Sequence, residues 1–363
     1  MRLCTKVLVI GGGPAGSTAA RFLAEHGIDV ILLERNLSFV KPCGGGMYSS
    51  AFDELGIPKT TIKREVNVIR IVSPRGEQLD IDLKGGNLVI VERGEFDEAL
   101  RKEAGKKGVK IIECEFTGIT CDPHLRVEAR AGDDNYEIVS EYIIAADGVN
   151  SKVRTALGIK PSRSFFTASE LIKGVNPGGC EFWFGSSHAP YSYSWLFPAS
   201  EGISMGTGCA EPGRITTLFE RFKERTGISS NGKRRTYRIP VWKGDLYNRE
   251  KVIFAGDSAG QVMPLTYEGI YYAMKAGEFA AQAVTEGKVE NYKRMWKERF
   301  QKRFVLMDKL RNYFLKDDES AEKLFALHKR PEVREASLSL WLRKDSGRKS
   351  LMTYIKLFGK FLH

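Results

Sequence analysis

VLVIGGGPAGSTAARFLAEHGIDVILLE, residues 7–34, is the stretch that decides the fold. Val7 to Ile10 form a continuous apolar run, the pattern of a strand buried on both faces. Gly11, Gly13 and Gly16 follow as Gly-x-Gly-x-x-Gly. The first glycine permits a tight turn, the second lets the backbone approach a pyrophosphate, and the third lets a helix pack close to the strand. That helix begins near Pro14 and Ala15, and its N-terminus would carry the pyrophosphate. A second apolar run, Val30 to Leu33, ends at Glu34, 18 residues after Gly16. A carboxylate at that distance accepts hydrogen bonds from an adenosine ribose. A lone glycine triplet would equally mark an ordinary turn. Strand, glycines, helix, strand and acid in this order predict a dinucleotide site at the start of the chain.

The glycine fingerprint does not separate FAD from NAD, but two later segments do. Residues 143–154 read IIAADGVNSKVR, an apolar strand ending in Asp147-Gly148, with Ser151 and Arg154 behind it. Residues 252–257 read VIFAGD, a strand ending in Gly256-Asp257, and a helical pattern rich in small residues runs from Gly269 to Ala283. With the first motif, these resemble the FAD-binding segments of the para-hydroxybenzoate-hydroxylase-like flavoproteins. The resemblance implies that Asp257 bonds the ribityl chain. It implies that the Gly269 and Ile270 N–H groups stand near the flavin O2, at a helix N-terminus that favours the reduced, anionic ring. Arg93 opens an Arg-x-x-Phe-Asp-x-x-Leu stretch (Arg93, Phe96, Asp97, Leu100), another FAD-contacting element of that superfamily. Arg35, Phe116, Asp147 and Gly148 complete the implied cofactor set. No second Gly-x-Gly-x-x-Gly occurs. Its absence argues against the disulfide reductases, which hold NADPH in a Rossmann unit of their own, and leaves room for a transient nicotinamide donor.

Two further stretches narrow the family. Residues 41–46 read KPCGGG and residues 190–198 read PYSYSWLFP. Together they resemble the geranylgeranyl reductase family of flavoproteins. The first is similar to its cysteine-glycine loop. The second matches its Pro-x-x-Tyr-x-Trp-x-Phe-Pro signature at all five fixed positions: Pro190, Tyr193, Trp195, Phe197 and Pro198. The resemblance covers roughly residues 1–290, and residues 291–363 match no named pattern. It implies FAD that, once reduced, saturates double bonds of a prenyl chain; no His or Cys sits in an evident flavinylation motif, so the FAD is expected to be non-covalent. The chain would belong to a geranylgeranyl ether lipid, a quinone tail or a prenyl diphosphate, and NADPH, ferredoxin or another carrier would supply electrons. It also places the Cys43-Gly44-Gly45 loop against the flavin and the reacting bond.

The residues themselves allow this. PYSYSWLFP alternates as a strand does, so Tyr191, Tyr193, Trp195 and Phe197 are expected on one face. Such a face either walls a cavity for a long hydrocarbon or fills the core of a second domain. Cys43 is either a small turn residue or an active-site thiol, which neighbouring Lys41 would bias towards thiolate. The histidines at 26, 124, 188, 328 and 363 show no metal-ligand spacing, so no metal is expected. His188 reads as a solvated loop residue or as one pointing into the cavity. The rival readings are a flavin oxidoreductase linked to a quinone, an FAD aromatic hydroxylase, and a lipid-binding module with a structural flavin.

The chain has 363 residues and a net charge of +11. Its six cysteines contain no CxxC pair and no signal-peptide pattern precedes the first strand, so a cytoplasmic protein is expected. No run approaches the ~20 apolar residues that span a bilayer. From Val289 to His363 there are nineteen Lys/Arg against ten Asp/Glu. Within that region Ser350–His363 is amphipathic at helical spacing. Leu351, Tyr354, Ile355, Phe358, Phe361 and Leu362 form the apolar stripe, opposed by Lys349, Lys356 and Lys360. A basic amphipathic helix lies on anionic lipid or docks on its own protein. The lipid reading makes the protein peripheral on the inner face of the cell membrane. No nucleic-acid recognition motif accompanies the basic tail.

The expected architecture is α/β, with a Rossmann-type FAD-binding domain assembled from residues 1–60, 90–160 and 246–290. Residues 61–89 and 161–245 alternate in short strands with turns at Ser73-Pro74-Arg75-Gly76, Asn176-Pro177-Gly178-Gly179 and Glu211-Pro212-Gly213. They are expected to form an antiparallel sheet that roofs the flavin and binds substrate. Residues 291–363 are expected to be helices broken at Pro331 and Gly347.

Overall fold

The computed structural model describes residues 1–85, 88–175, 178–229, 232–341 and 356–358. The apolar run at residues 7–10 is the inner half of a strand, Arg2–Ile10, at the centre of an eight-stranded sheet. It pairs in parallel with Val30–Glu34 on one side and Asp134–Ala145 on the other. Lys110–Glu113 and Val252–Phe254 extend the parallel set outward. Two antiparallel strands, Glu115–Thr120 and Leu125–Ala131, run back across Asp134–Ala145 as a meander. Val7 and Val9 face one layer while Leu8 and Ile10 face the other. Burial on both faces is why the run is unbroken in hydrophobicity. Each such side chain contributes about 1.5–3 kcal/mol.

Helix Pro14–Glu25 follows the glycine turn and packs on one face of the sheet beside Ile270–Thr285. The two helices approach closely because small residues meet: a Cβ on Gly277 would lie 2.2 Å from the Ala15 carbonyl oxygen. Gly11 has φ +103°, and a Cβ there would sit 2.3 Å from the Ala146 carbonyl oxygen, so the turn accepts only glycine.

A seven-stranded sheet forms the second layer, in the order Arg235–Pro240, Ser164–Lys173, Gly202–Cys209, Ser194–Ala199, Cys180–Trp183, Val68–Val72 and Gln78–Asp82. It departs from the expected sheet in two ways. The pairing of Cys180–Trp183 with Val68–Val72 is parallel. Ile62–Val66 and Leu88–Val91 leave it to form a separate three-stranded sheet with Gly46–Tyr48. Helix Ile215–Thr226 covers its outer face with Leu218, Phe219 and Phe222. The inner face looks towards the first sheet.

Helix Glu290–Trp296 runs through a wider turn at Lys297–Gln301 into Lys302–Phe314. Asp318–His328 follows, capped by Asp317 accepting from the Ser320 N–H at 2.7 Å. The chain breaks and restarts with Pro331 as the first residue of Pro331–Trp341, a position where its missing N–H is harmless. Gly347, the Asn176-Pro177 turn and most of the amphipathic segment 350–363 lie outside the described residues. Residues 356–358 are helical. Phe358, one residue of the apolar stripe, is fully buried, with its ring 6.0 Å from Phe314 and 6.3 Å from His328, so at this position the stripe docks on its own protein. Among the described residues no helix is long and apolar enough to cross a membrane.

Candidate active site

One cavity runs between the two sheets, from the glycine turn to the aromatic strand. At one end lie Gly11, Gly13, Pro14 and Ala15. Glu34 stands at the tip of the second strand, where its Oε2 accepts the Gly12 N–H at 2.7 Å. Arg35 and Phe116 line the same end, as do Asp147 and Gly148 at the tip of Asp134–Ala145. Gly16 does not line it. A Cβ on Gly16 would fall 1.9 Å from the Gly11 carbonyl oxygen, so its part is close packing behind the turn. Gly256 also stands back, its N–H donated to Gln261 Oε1 at 2.8 Å, while Asp257 lines the cavity. Ser151 caps the short helix Lys152–Ala156, and buried Arg154 ties it to the Ser258 carbonyl at 3.0 Å.

Helix Arg93–Lys106 places Arg93 and Asp97 on the cavity, joined by two hydrogen bonds of 3.0 and 2.7 Å. Two turns further along the same helix stands Arg101, which the sequence reading missed. Its guanidinium donates to the Gly12 carbonyl at 3.2 Å and to the Leu37 carbonyl at 2.8 Å, pinning the glycine turn. Periodicity could have found it, because residues seven to eight apart share a helix face.

The Cys43-Gly44-Gly45 loop lies in the middle of the cavity. The Cys43 sulfur accepts the Gly45 N–H at 3.1 Å. Its charged neighbour is Arg93, contrary to the expectation of Lys41. Burial alone would lower the Arg93 pKa; Asp97 and then Cys43 outweigh it, and the net shift is upward. Lys41 instead forms an ion pair with Asp257 and stands 5.3 Å from the Tyr237 ring centre. Thus Asp257, read as a ribityl ligand, already has a cationic partner from the cysteine loop.

The aromatic stretch is a strand only over Ser194–Ala199. Trp195 and Phe197 line the cavity from it, and Tyr193 does so from the preceding residue. Tyr193 and Phe197 each meet Phe182 edge-on, with centroids 5.2 and 5.1 Å apart. Tyr193 donates its hydroxyl to the Thr266 carbonyl, and burial pushes its pKa well up. Tyr191 breaks the expected face. It has φ +57°, stands 51% exposed and does not line the cavity, because the chain turns before the strand begins. His188 meets neither expectation. It is fully buried behind the wall, its Nδ1 2.7 Å from Ser194 Oγ, and stacked on Phe222. Burial, then the Arg225 charge, push its pKa down to about 4.

The residues at the first end fit a dinucleotide. Helices Pro14–Glu25 and Ile270–Thr285 both start at a glycine, Gly13 and Gly269, with no side-chain cap, so their first N–H groups are free to meet an anion. Gly13, Gly269 and Ile270 all face the cavity. A Cβ on Gly13 or on Gly148 would meet nothing within 4 Å, so bare backbone faces open space where a diphosphate must approach. Buried Asp147 Oδ1 has no partner, while Oδ2 accepts the Val153 N–H at 3.1 Å. Such an acceptor awaits a ligand hydroxyl. Among the described residues no group of His, Cys, Asp and Glu is placed to hold a metal.

The FAD binding domain family matches residues 4–177. The geranylgeranyl diphosphate reductase of Rhodobacter capsulatus is 32% identical over 294 residues, 76% of this chain and 73% of that one. The chain belongs to the geranylgeranyl reductase family. A second relative of this reductase family, the digeranylgeranylglycerophospholipid reductase of Methanosarcina acetivorans, is 32% identical over 328 residues, 80% of each chain. In fold, the chain is similar to the crystal structure of a geranylgeranyl bacteriochlorophyll reductase-like protein from Thermoplasma acidophilum. The TM-score is 0.85 at 22% identity, with 99% of both chains covered. FAD is the cofactor that this reductase fold is built to hold.

Proposed function

We propose that the protein is an FAD-dependent reductase that saturates carbon–carbon double bonds of a geranylgeranyl or other polyprenyl chain. One observation carries the reading: a single cavity joins a dinucleotide cradle to a wall of Tyr193, Trp195, Phe197 and Phe182. Family membership favours it over a quinone-linked oxidoreductase or an aromatic hydroxylase. Reduced FAD supplies hydride when bound. The protein supplies alignment and dryness, since an isolated alkene accepts hydride poorly unless held close and away from water.

On this reading residues 1–60, 90–160 and 246–290 serve the cofactor, and 61–89 with 161–245 serve the substrate. Gly11, Gly13 and the N-terminus at Pro14 would receive the pyrophosphate, and Glu34 the ribose. Asp257, with Lys41, would hold the ribityl chain, and the helix starting at Ile270 would face the pyrimidine edge. Cys43, held by Gly45 and Arg93, would touch both flavin and prenyl chain. The electron donor, NADPH, ferredoxin or another carrier, would meet the protein from solution. A prenyl-lipid substrate supports a cytoplasmic protein peripheral on the inner face of the membrane, aided by the excess positive charge of residues 289–363.

The test is anaerobic. Dithionite-reduced protein mixed with geranylgeranyl diphosphate, or with vesicles holding a digeranylgeranyl glycerophospholipid, should regain its oxidised flavin spectrum. Mass spectrometry should show products heavier by one H2 per saturated bond. Flavin that stays reduced with every prenyl substrate would overturn the reading. Cys43→Ser should slow that reoxidation with FAD still bound.

A further inference from the structure

Each double bond takes up a hydride and a proton, and the proton needs a source. Cys43 is already engaged: its sulfur accepts an N–H from Gly45 and stands beside the Arg93 guanidinium. Most carboxylates lining the cavity are committed at the cofactor end. Glu34 and Asp147 accept backbone N–H groups, and Asp97, Glu115 and Asp257 pair with Arg93, Lys152 and Lys41. Glu268, which also lines the cavity, accepts a hydrogen bond at its Oε2 from the Tyr48 hydroxyl at 3.1 Å.

The place of this pair matters as much as its chemistry. Tyr48 is 3% exposed and lies on Gly46–Tyr48, the strand that leaves the cysteine loop. Its ring belongs to the apolar cluster of Phe182 and Phe197, with Tyr193 and Trp195 against it. Glu268 immediately precedes Gly269, the cap of the helix aimed at the cofactor end. The pair therefore sits where the aromatic wall meets the cofactor cradle. Burial, then the charge of Glu268, push the Tyr48 pKa well up, so its hydroxyl keeps its proton until something takes it.

We propose that Tyr48 and Glu268 form the relay that delivers the proton to the alkene. This rests on the reductase reading above. The hydride and its electron pair, supplied by the reduced cofactor, form a C–H bond at one alkene carbon. The π electron pair forms the second C–H bond with the Tyr48 hydroxyl proton, and that O–H bond breaks. Tyr48 regains a proton from the Glu268 carboxyl, so no phenolate accumulates, and Glu268 is left as carboxylate. The hydrogen bond from Tyr48 to Glu268 is the spent state of this relay, and a proton from water recharges the half-buried carboxylate. Tyr48 is thereby a catalytic residue and Glu268 the reservoir behind it.

Tyr48→Phe and Glu268→Gln keep shape and remove one link each. In both, bound FAD and its absorption spectrum should match wild type, while reoxidation of the reduced protein by geranylgeranyl diphosphate should slow roughly 100-fold, the scale of a lost general acid. Adding substrate to reduced wild type should remove a protonated-carboxyl band from the infrared difference spectrum, and Glu268→Gln should lack that band. If Tyr48→Phe is reoxidised at the wild-type rate, the relay is wrong while the reductase reading stands. Slowing without the carboxyl band would make the pair structural and also overturn the relay. Wild-type protein that no prenyl substrate reoxidises would remove the reductase reading itself.

Discussion

Trp195 lies flat because its neighbour has no side chain, and adding one should narrow the cavity by a predictable amount. Trp195 pairs across the sheet with Gly206. A Cβ built on Gly206 would fall 2.0 Å from Trp195 Cζ2 and 2.5 Å from Cε2 and Cη2. Carbon atoms rest at about 3.5–4.0 Å, so in Gly206→Ala the indole must move by about 1.5 Å. The backbone offers no relief and no objection, since Gly206 is not in the left-handed region. The ring moves towards the cavity it lines, or the sheet distorts, and such overpacking costs about 1–3 kcal/mol. Two readouts follow. Thermal unfolding monitored by FAD release should shift down by a few degrees. The product pattern should shift towards chains with fewer saturated bonds, because the bore is narrower. A double-mutant cycle isolates the cause. In Trp195→Ala the clash is gone, and Gly206→Ala should there become neutral or stabilise by about 0.5–1 kcal/mol, the ordinary gain over glycine in a strand. An additive cycle, with the same penalty in both backgrounds, would show that the indole does not rest on Gly206. Unchanged products in Gly206→Ala with normal coupling would put Trp195 in the core and not in the substrate wall.

Asp257→Ala removes a charge-assisted partner of the cofactor and leaves Lys41 unpaired; FAD retention measured by equilibrium dialysis should weaken by about 1.5–3 kcal/mol, and undiminished occupancy would mean that the ribityl assignment is misplaced. His188 should make the protein acid-sensitive. Unfolded, its imidazole binds a proton below about 6.5, whereas burial holds the native pKa down to about 4. The unfolded state therefore binds more protons in that window, and stability should fall by up to about 3 kcal/mol as pH drops through it. Denaturant titrations at pH 7.5 and pH 4.5 should show that loss in wild type and a smaller one in His188→Gln; equal losses would refute it. Phe358→Ala should cost about 3–5 kcal/mol in unfolding titrations because the ring is fully buried against Phe314 and His328. An unchanged midpoint with weaker sedimentation on anionic vesicles would return Phe358 to the lipid-facing stripe.

The parts of the site legible in sequence are those whose chemistry leaves a mark within a few residues. A doubly buried strand must be apolar at every position, and a turn that would collide with the Ala146 carbonyl must be glycine, so Val7–Gly11 read themselves. The aromatic stretch was legible along the strand and at Tyr193, the residue before it. Period two was carried one step too far, onto Tyr191, whose φ of +57° ends the alternation. His188 failed for a related reason: a polar residue in a loop sequence was read as facing water or ligand. Ser194 and Thr207 instead supply a buried hydrogen-bonded niche, joined to each other at 2.8 Å.

Two of the contacts that went unread join residues more than two hundred positions apart. Lys41 meets Asp257 across 216 positions, and Tyr48 meets Glu268 across 220. Nothing local announces either pair. Yet both run between the same two segments, the cysteine loop with its following strand and the stretch that opens the Ile270 helix. Each segment was tied to the flavin separately, one by KPCGGG and the other by Gly256-Asp257 and Gly269. Two segments that touch one small ligand must lie near each other, and an acid on one then looks for a donor on the other. Lys41 and Tyr48 are the donors that the first segment offers, Asp257 and Glu268 the acids of the second. The charged pair falls at the cofactor end and the neutral donor at the aromatic wall. A buried wall of Phe182 and Phe197 would penalise a lysine there far more than a phenol.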